Sequence, residues 1–123
     1  MKKRRLSILI VDDNTGFVSR MTSLINEADT TSIVHSANSI DEATGMLTKN
    51  PDLILLDINL PGKNGITLLK HITESSPNCK VIMMSNYTEE YYQERCRKLG
   101  AALFLDKTND FELIPGIVKE LNN

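Results

Sequence analysis

Asp12 and Asp13, Asp57, Ser85 and Lys107 are residues whose types complement one another: three carboxylates, a hydroxyl and an ammonium. Three carboxylates held close together repel, and at least one has its pKa raised unless a cation relieves the repulsion. Oxygen ligands alone, without Cys or His, favour magnesium over zinc, and magnesium typically keeps waters and joins one or two carboxylates to a phosphate. Such a cluster suits phosphoryl transfer, which asks a protein mainly to align nucleophile and leaving group and to neutralise charge on the equatorial oxygens. Magnesium and Lys107 would supply that neutralisation. A carboxylate is a competent nucleophile towards phosphorus and yields an acyl phosphate. Asp57, alone at the end of the most buried-looking central run, is the best candidate for it.

These residues are far apart in sequence but share a position relative to short apolar runs. Asp12-Asp13 follow Leu6 to Val11, Asp57 follows Leu53 to Leu56, Ser85 follows Val81 to Met84, and Asp106-Lys107 follow Ala102 to Leu105. Continuous apolar runs of this length suit strands buried on both faces of a parallel sheet. A weaker strand candidate surrounds Ile33 and Val34. Between the runs, Phe17, Val18, Met21, Leu24, Ile25 and Ala28 recur at helical spacing, as do Phe111, Ile114, Ile117, Val118 and Leu121; these stripes should face the sheet. Strand alternating with helix indicates an α/β fold. In an open α/β sheet ligands gather outside the carboxyl ends of the strands, so parallel strands would bring all of these groups to one edge. An Asp after a strand is by itself commonly a cap or turn residue. The complementarity of the whole set is what favours a site.

Local signals mark the helix ends. Ser39 with Glu42 has capping-box spacing at the start of a second helix, and Thr88 before Glu89 and Glu90 suits a capped fourth helix. Gly100 is placed to end that helix. Pro115 lacks a backbone donor, so a last helix beginning near Asp110 should loosen or restart there.

The 123 residues are enough for one core and too few for two, so residues 1–123 are read as one domain. An apolar fraction of 41% is ordinary, and a net charge of −2 gives no reason to expect nucleic acid or an anionic membrane as a partner. Lys2 to Arg5 before an apolar run superficially resembles a signal peptide, but Asp12-Asp13 cut the run short without a small-residue cleavage site; the basic residues read as a solvated tail. Cys79 and Cys96 lack the spacing of a zinc site or a disulfide framework, which favours a reducing cytoplasm. His35 and His71 have no nucleophile or metal-ligand company and read as structural or exposed.

In the stretches Ile8-Leu9-Ile10-Val11-Asp12-Asp13 and Asp57-Ile58-Asn59-Leu60-Pro61-Gly62-Lys63-Asn64-Gly65, together with Ser85 and Lys107, the chain resembles the receiver domains of response regulators over essentially its whole length. The resemblance implies a doubly wound, flavodoxin-like fold: a five-stranded parallel sheet in the order 2-1-3-4-5, flanked by five helices. It implies that Asp57 is the phosphoacceptor and that Asp13, Asp57 and the backbone carbonyl of Asn59 bind magnesium, with Asp12 helping directly or through water. Ser85 matches the switch hydroxyl, Lys107 the phosphate-pairing lysine and Phe104 the aromatic switch residue. Asn59 and Tyr87 match positions that tune dephosphorylation. The implied partners are a histidine kinase or histidine phosphotransfer protein upstream and an unidentified protein downstream, read through helices four and five, where Tyr87, Tyr91 and Tyr92 could enrich the surface. Tyr92 shares a face with Cys96 and Leu99 and so could equally pack on the sheet.

Two positions depart from the common family pattern. Thr108 follows Lys107 where proline across a cis bond is frequent, so either a costly non-proline cis bond forms or the loop runs differently. Asn86 is larger than the small residue usual after the switch hydroxyl and could narrow access to a phosphoryl group.

Other activities fit less well. A flavodoxin-type cofactor binder would need a phosphate-cradling loop where Asp12-Asp13 stand. An aspartyl-nucleophile phosphatase would want a second acid where Asn59 stands. A P-loop hydrolase would need Gly-Lys-Ser or Gly-Lys-Thr after a Gly-rich loop. The chain is therefore not expected to be an enzyme beyond its own phosphorylation and dephosphorylation, nor to carry an output domain within these residues. A receiver-like module that no longer uses phosphate is the remaining rival, against which the retained acid cluster argues.

Overall fold

A computed structural model describes residues 5–60, 63–86 and 90–122. Five parallel strands form one sheet: β1 (Ser7–Val11), β2 (Ile33–Ala37), β3 (Leu53–Asp57), β4 (Lys80–Ser85) and β5 (Leu103–Asp106). Their order is β2-β1-β3-β4-β5. The helices between and after them are α1 (Thr15–Ala28), α2 (Ile40–Met46), α3 (Gly65–Ser75), α4 (Glu90–Lys98) and α5 (Ile114–Leu121). A short antiparallel ribbon pairs Asn59 with Asn64 and Leu60 with Lys63 beyond β3.

Alternate residues of the strands enter two separate cores. Ile8, Ile10, Leu53 and Leu55 meet Met21 and Ile25 of α1 and Ile114 and Val118 of α5. Leu9, Val11, Ile54 and Leu56 meet Ile40 of α2, Leu69 and Ile72 of α3, and Cys96 of α4. Every side chain of β3 is buried, as its unbroken apolar run requires of a central strand covered on both sides. The run at β5 does not behave that way. It forms the edge of the sheet, and Leu103 is 43% exposed, because an edge strand has only part of each face covered.

The helix signals correspond to specific contacts. The Ser39 hydroxyl accepts the Glu42 N–H at 3.1 Å and caps α2. Gly100 adopts φ +103° just after α4, a conformation in which an L side chain is strained, and a Cβ there would also meet Thr73 Cγ2 at 2.9 Å. A 3-10 turn, Phe111–Leu113, precedes α5, so Pro115 falls in the first turn of the helix, where its missing N–H has no partner to lose. The expected cap at Thr88 and Glu89 lies outside the described residues, as do Tyr87 and Lys2 to Arg4. Tyr92 packs against the core beside Cys96, whereas Tyr91 is 66% exposed. Both cysteines are free, His71 is exposed, and no described helix is long and apolar enough to cross a membrane.

Candidate functional site

The strand register brings the expected residues to one end of the sheet. Val11 pairs with Leu56, Asp57 with Met84 and Ser85 with Asp106, so β1, β3, β4 and β5 end nearly level. Asp12 continues β1 by donating its N–H to the Ala37 carbonyl of β2 at 3.0 Å. Oxygens of Asp12, Asp13 and Asp57 lie within 4.8 Å of one another. Lys107 reaches over from the end of β5, its Nζ 2.6 Å from Asp12 Oδ2 and 3.5 Å from Asp57 Oδ2.

The three carboxylates have different surroundings. Asp12 is buried, and its Oδ1 accepts the Asn14 N–H at 2.9 Å. Asp13 is exposed and has no hydrogen bond or ion pair among the described residues. Asp57 is only 7% exposed, and its Oδ1 accepts the Asn59 N–H at 3.1 Å. Burial pushes the Asp57 carboxyl above its ordinary range; the Asn59 N–H and the Lys107 charge pull the other way, and Asp12 adds to the rise. The expected raised carboxyl is therefore present, but desolvation by the covered sheet end outweighs like-charge repulsion as its cause.

The donor set fits a hard divalent cation. It consists of oxygens, they converge, and one carboxylate has no partner among the described residues. Ser85, on the strand beside Asp57, is 1% exposed, and its backbone carbonyl accepts the Lys107 N–H at 3.0 Å. Phe104, three residues before Lys107, is partly buried against the core shared by α2, α3 and α4. Asn59 is exposed on the ribbon beyond β3.

Residues 8–119 match the family model described as the response regulator receiver domain. The chain belongs to that family. Among curated relatives of this receiver, sporulation initiation phosphotransferase F of Bacillus subtilis is 32% identical over 113 residues, which cover 92% of this chain and 90% of that protein. A protein-glutamate methylesterase/protein-glutamine glutaminase of Idiomarina loihiensis is 36% identical over 105 residues, 83% of this chain but 27% of the relative. The receiver thus spans about a quarter of that relative's length. A CheY-like response regulator receiver domain protein from Methanospirillum hungatei superposes with a TM-score of 0.85 at 25% identity, covering 96% of this chain and 94% of that one.

The loop after Lys107 is where this receiver departs from its family's usual sequence. The Lys107-Thr108 bond is trans. The turn is closed instead by Asp106, whose Oδ1 accepts the N–H groups of Thr108 at 2.8 Å and Asn109 at 3.1 Å. Those two N–H groups, Thr108's first, hold the Asp106 carboxyl below its usual range. The Thr108 hydroxyl in turn donates to Asn86 Oδ1 at 3.2 Å, so the two unusual residues contact each other across the rim of the site.

Two features of the site are not apparent from residue type. The Phe17 ring, expected only to face the sheet, has its centroid 4.5 Å from Lys107 Nζ. Gly65, the first residue of α3, donates its N–H to the Ile58 carbonyl at 2.8 Å and is pressed against the Asp57 backbone. The available signal for Phe17 was its place one helical turn after the acidic pair.

Proposed function

We propose that the chain is the receiver of a two-component phosphorelay in which Asp57 accepts a phosphoryl group from a histidine kinase or a histidine phosphotransfer protein in the cytoplasm. The observation that carries this reading is the Lys107 ammonium held against both Asp12 and Asp57 at the carboxyl end of the sheet. It puts a fixed positive charge where a phosphoryl group on Asp57 would develop negative charge.

An Asp57 carboxylate oxygen attacks phosphorus; the new P–O bond forms as the P–N bond of the phosphohistidine breaks, and the departing imidazole takes a proton from solvent. Asp12, Asp13, Asp57 and the backbone carbonyl of Asn59 would hold magnesium, which when bound supplies further neutralisation of the phosphoryl oxygens. Hydrolysis of the acyl phosphate returns the carboxylate and inorganic phosphate, with Asn59, Asn86 and Tyr87 tuning its rate.

Signalling is a population shift. The Ser85 hydroxyl bonds a phosphoryl oxygen, and Phe104 moves into the space this opens. The change is read by a downstream protein at α4, β5 and α5. Among the described residues, Tyr91, Leu103 and Leu113 are the exposed large apolar residues of that region, and a cleft of about 360 Å³ runs between α4 and β5.

The test is incubation with acetyl phosphate, with and without magnesium, beside Asp57→Asn. The expected result is a mass gain of one phosphoryl group that needs magnesium and is lost in the variant. A folded protein that is never modified would instead be a phosphate-independent interaction module.

A further inference from the structure

The contacts around Lys107 close into a circuit. Asp12 Oδ1 accepts the N–H of Asn14, and Asn14 Oδ1 accepts the N–H of Phe17, capping α1. The Phe17 ring lies against Lys107 Nζ, and Lys107 Nζ returns to Asp12 Oδ2. Asp12, the first turn of α1 and the lysine are thus fixed relative to one another through four neighbouring contacts.

We propose that Phe17 is a positioning residue for phosphoryl transfer, the face of its ring holding the Lys107 ammonium over Asp12 and Asp57. The proposal rests on the reading of Asp57 and Lys107 given above. Lysine is a point charge on a flexible stem, and its charge assists a reaction only if it is in place beforehand. The carboxylates alone do not ensure this, because Nζ lies closer to Asp12, at 2.6 Å, than to Asp57, at 3.5 Å. An aromatic face provides a third contact that attracts the ammonium without competing as a hydrogen-bond acceptor. The lysine side chain is 10% exposed, so the attraction operates with little water around it. At such a site a cation over a ring favours one arrangement by roughly twofold to thirtyfold.

Phe17 also packs partly into the core shared by α1 and α5, so simple packing is the competing role. The two roles separate on side-chain chemistry. Phe17→Tyr keeps the π face, whereas Phe17→Met keeps much of the apolar volume and loses it. With acetyl phosphate and magnesium, Phe17→Met should be phosphorylated roughly threefold to tenfold more slowly than wild type, and Phe17→Tyr within about twofold of it. Equal rates in all three proteins, or equal slowing in both variants, overturn the proposal.

A second measurement needs no variant. In wild-type protein, NMR should find the Lys107 Hε protons shifted upfield of those of the other lysines by the Phe17 ring current. Ordinary Hε positions overturn the proposal even if Phe17→Met does not fold. Absence of any wild-type phosphorylation would sink the reading of Asp57 and this proposal together, while normal phosphorylation with Phe17→Met unaffected would sink only the role of Phe17.

Discussion

Gly65 lies so close to Asp57 that a Cβ on it would stand 2.4 Å from the Asp57 backbone oxygen and 3.0 Å from Ile58 Cα. The obstructing atoms are backbone, and they belong to the residue proposed to take the phosphoryl group and to the one that follows it. Gly65→Ala should therefore displace the end of β3 or the start of α3. Overpacking of this kind typically costs about 1–3 kcal/mol. Urea unfolding should show that loss, and acetyl phosphate labelling should slow because Asp57 moves relative to Lys107. Wild-type stability and labelling in Gly65→Ala would mean that the helix start shifts without disturbing the site.

The convergence of Asp12, Asp13, Asp57 and Lys107 was legible because acids and an ammonium after apolar runs are conspicuous by residue type. The start of α2 was legible for the same reason: Ser39 and Glu42 carry their pairing in their spacing. The order of the strands was not, since all-apolar runs such as those of β1 and β3 are interchangeable as patterns; the family resemblance supplied it. Nor does an apolar run reveal whether its strand is central or at an edge, which is why Leu103 is more exposed than its neighbours suggest. Phe17 and Gly65 depend on where the backbone passes. A ring in an amphipathic stripe looks the same whether or not an ammonium from the far end of the chain lands on it.

The raised Asp57 carboxyl has a consequence for stability. Its pKa in the folded protein lies above the ordinary 3.8, with burial as the main cause. Between those two values the folded state binds more protons than the unfolded state, so this group's contribution falls as pH rises from about 3.8 through the folded value. Above that window the buried charge is a standing cost, and Asn at position 57 removes it. In metal-free buffer with EDTA, Asp57→Asn should be more stable than wild type at pH 7, and the advantage should shrink towards pH 4. Urea midpoints at both pH values measure it. A wild type more stable at pH 7 would show that pairing with Lys107 outweighs burial.

Asp13 separates metal binding from folding, because its carboxylate is exposed and unpaired among the described residues. Asp13→Asn should leave metal-free stability within about 0.5 kcal/mol of wild type. Magnesium at ten times its dissociation constant should add about 1.4 kcal/mol to the wild-type fold by mass action. The variant should lose most of that gain. Thermal melts with and without magnesium give both comparisons, and an equal magnesium shift in the two proteins would remove Asp13 from the ligand set.

The contact between Thr108 and Asn86 bears on how long a phosphoryl group would survive. Asn86 adjoins Ser85 at the rim of the site, and the Thr108 hydroxyl holds its amide oxygen at 3.2 Å. Tethered in that way, the Asn86 side chain is expected to narrow the approach of water to a phosphoryl group on Asp57. Asn86→Ala should open the approach, and Thr108→Val should free the Asn86 side chain to swing away. A hydrogen bond worth about 0.5–1.5 kcal/mol corresponds to roughly twofold to tenfold faster loss of the phosphoryl group. The changes act on one element, so the double variant should decay no faster than Asn86→Ala alone. Decay can be followed by mass after the donor is removed. Multiplying effects would show two independent influences, and slower decay in Asn86→Ala would show that the amide assists water instead of excluding it.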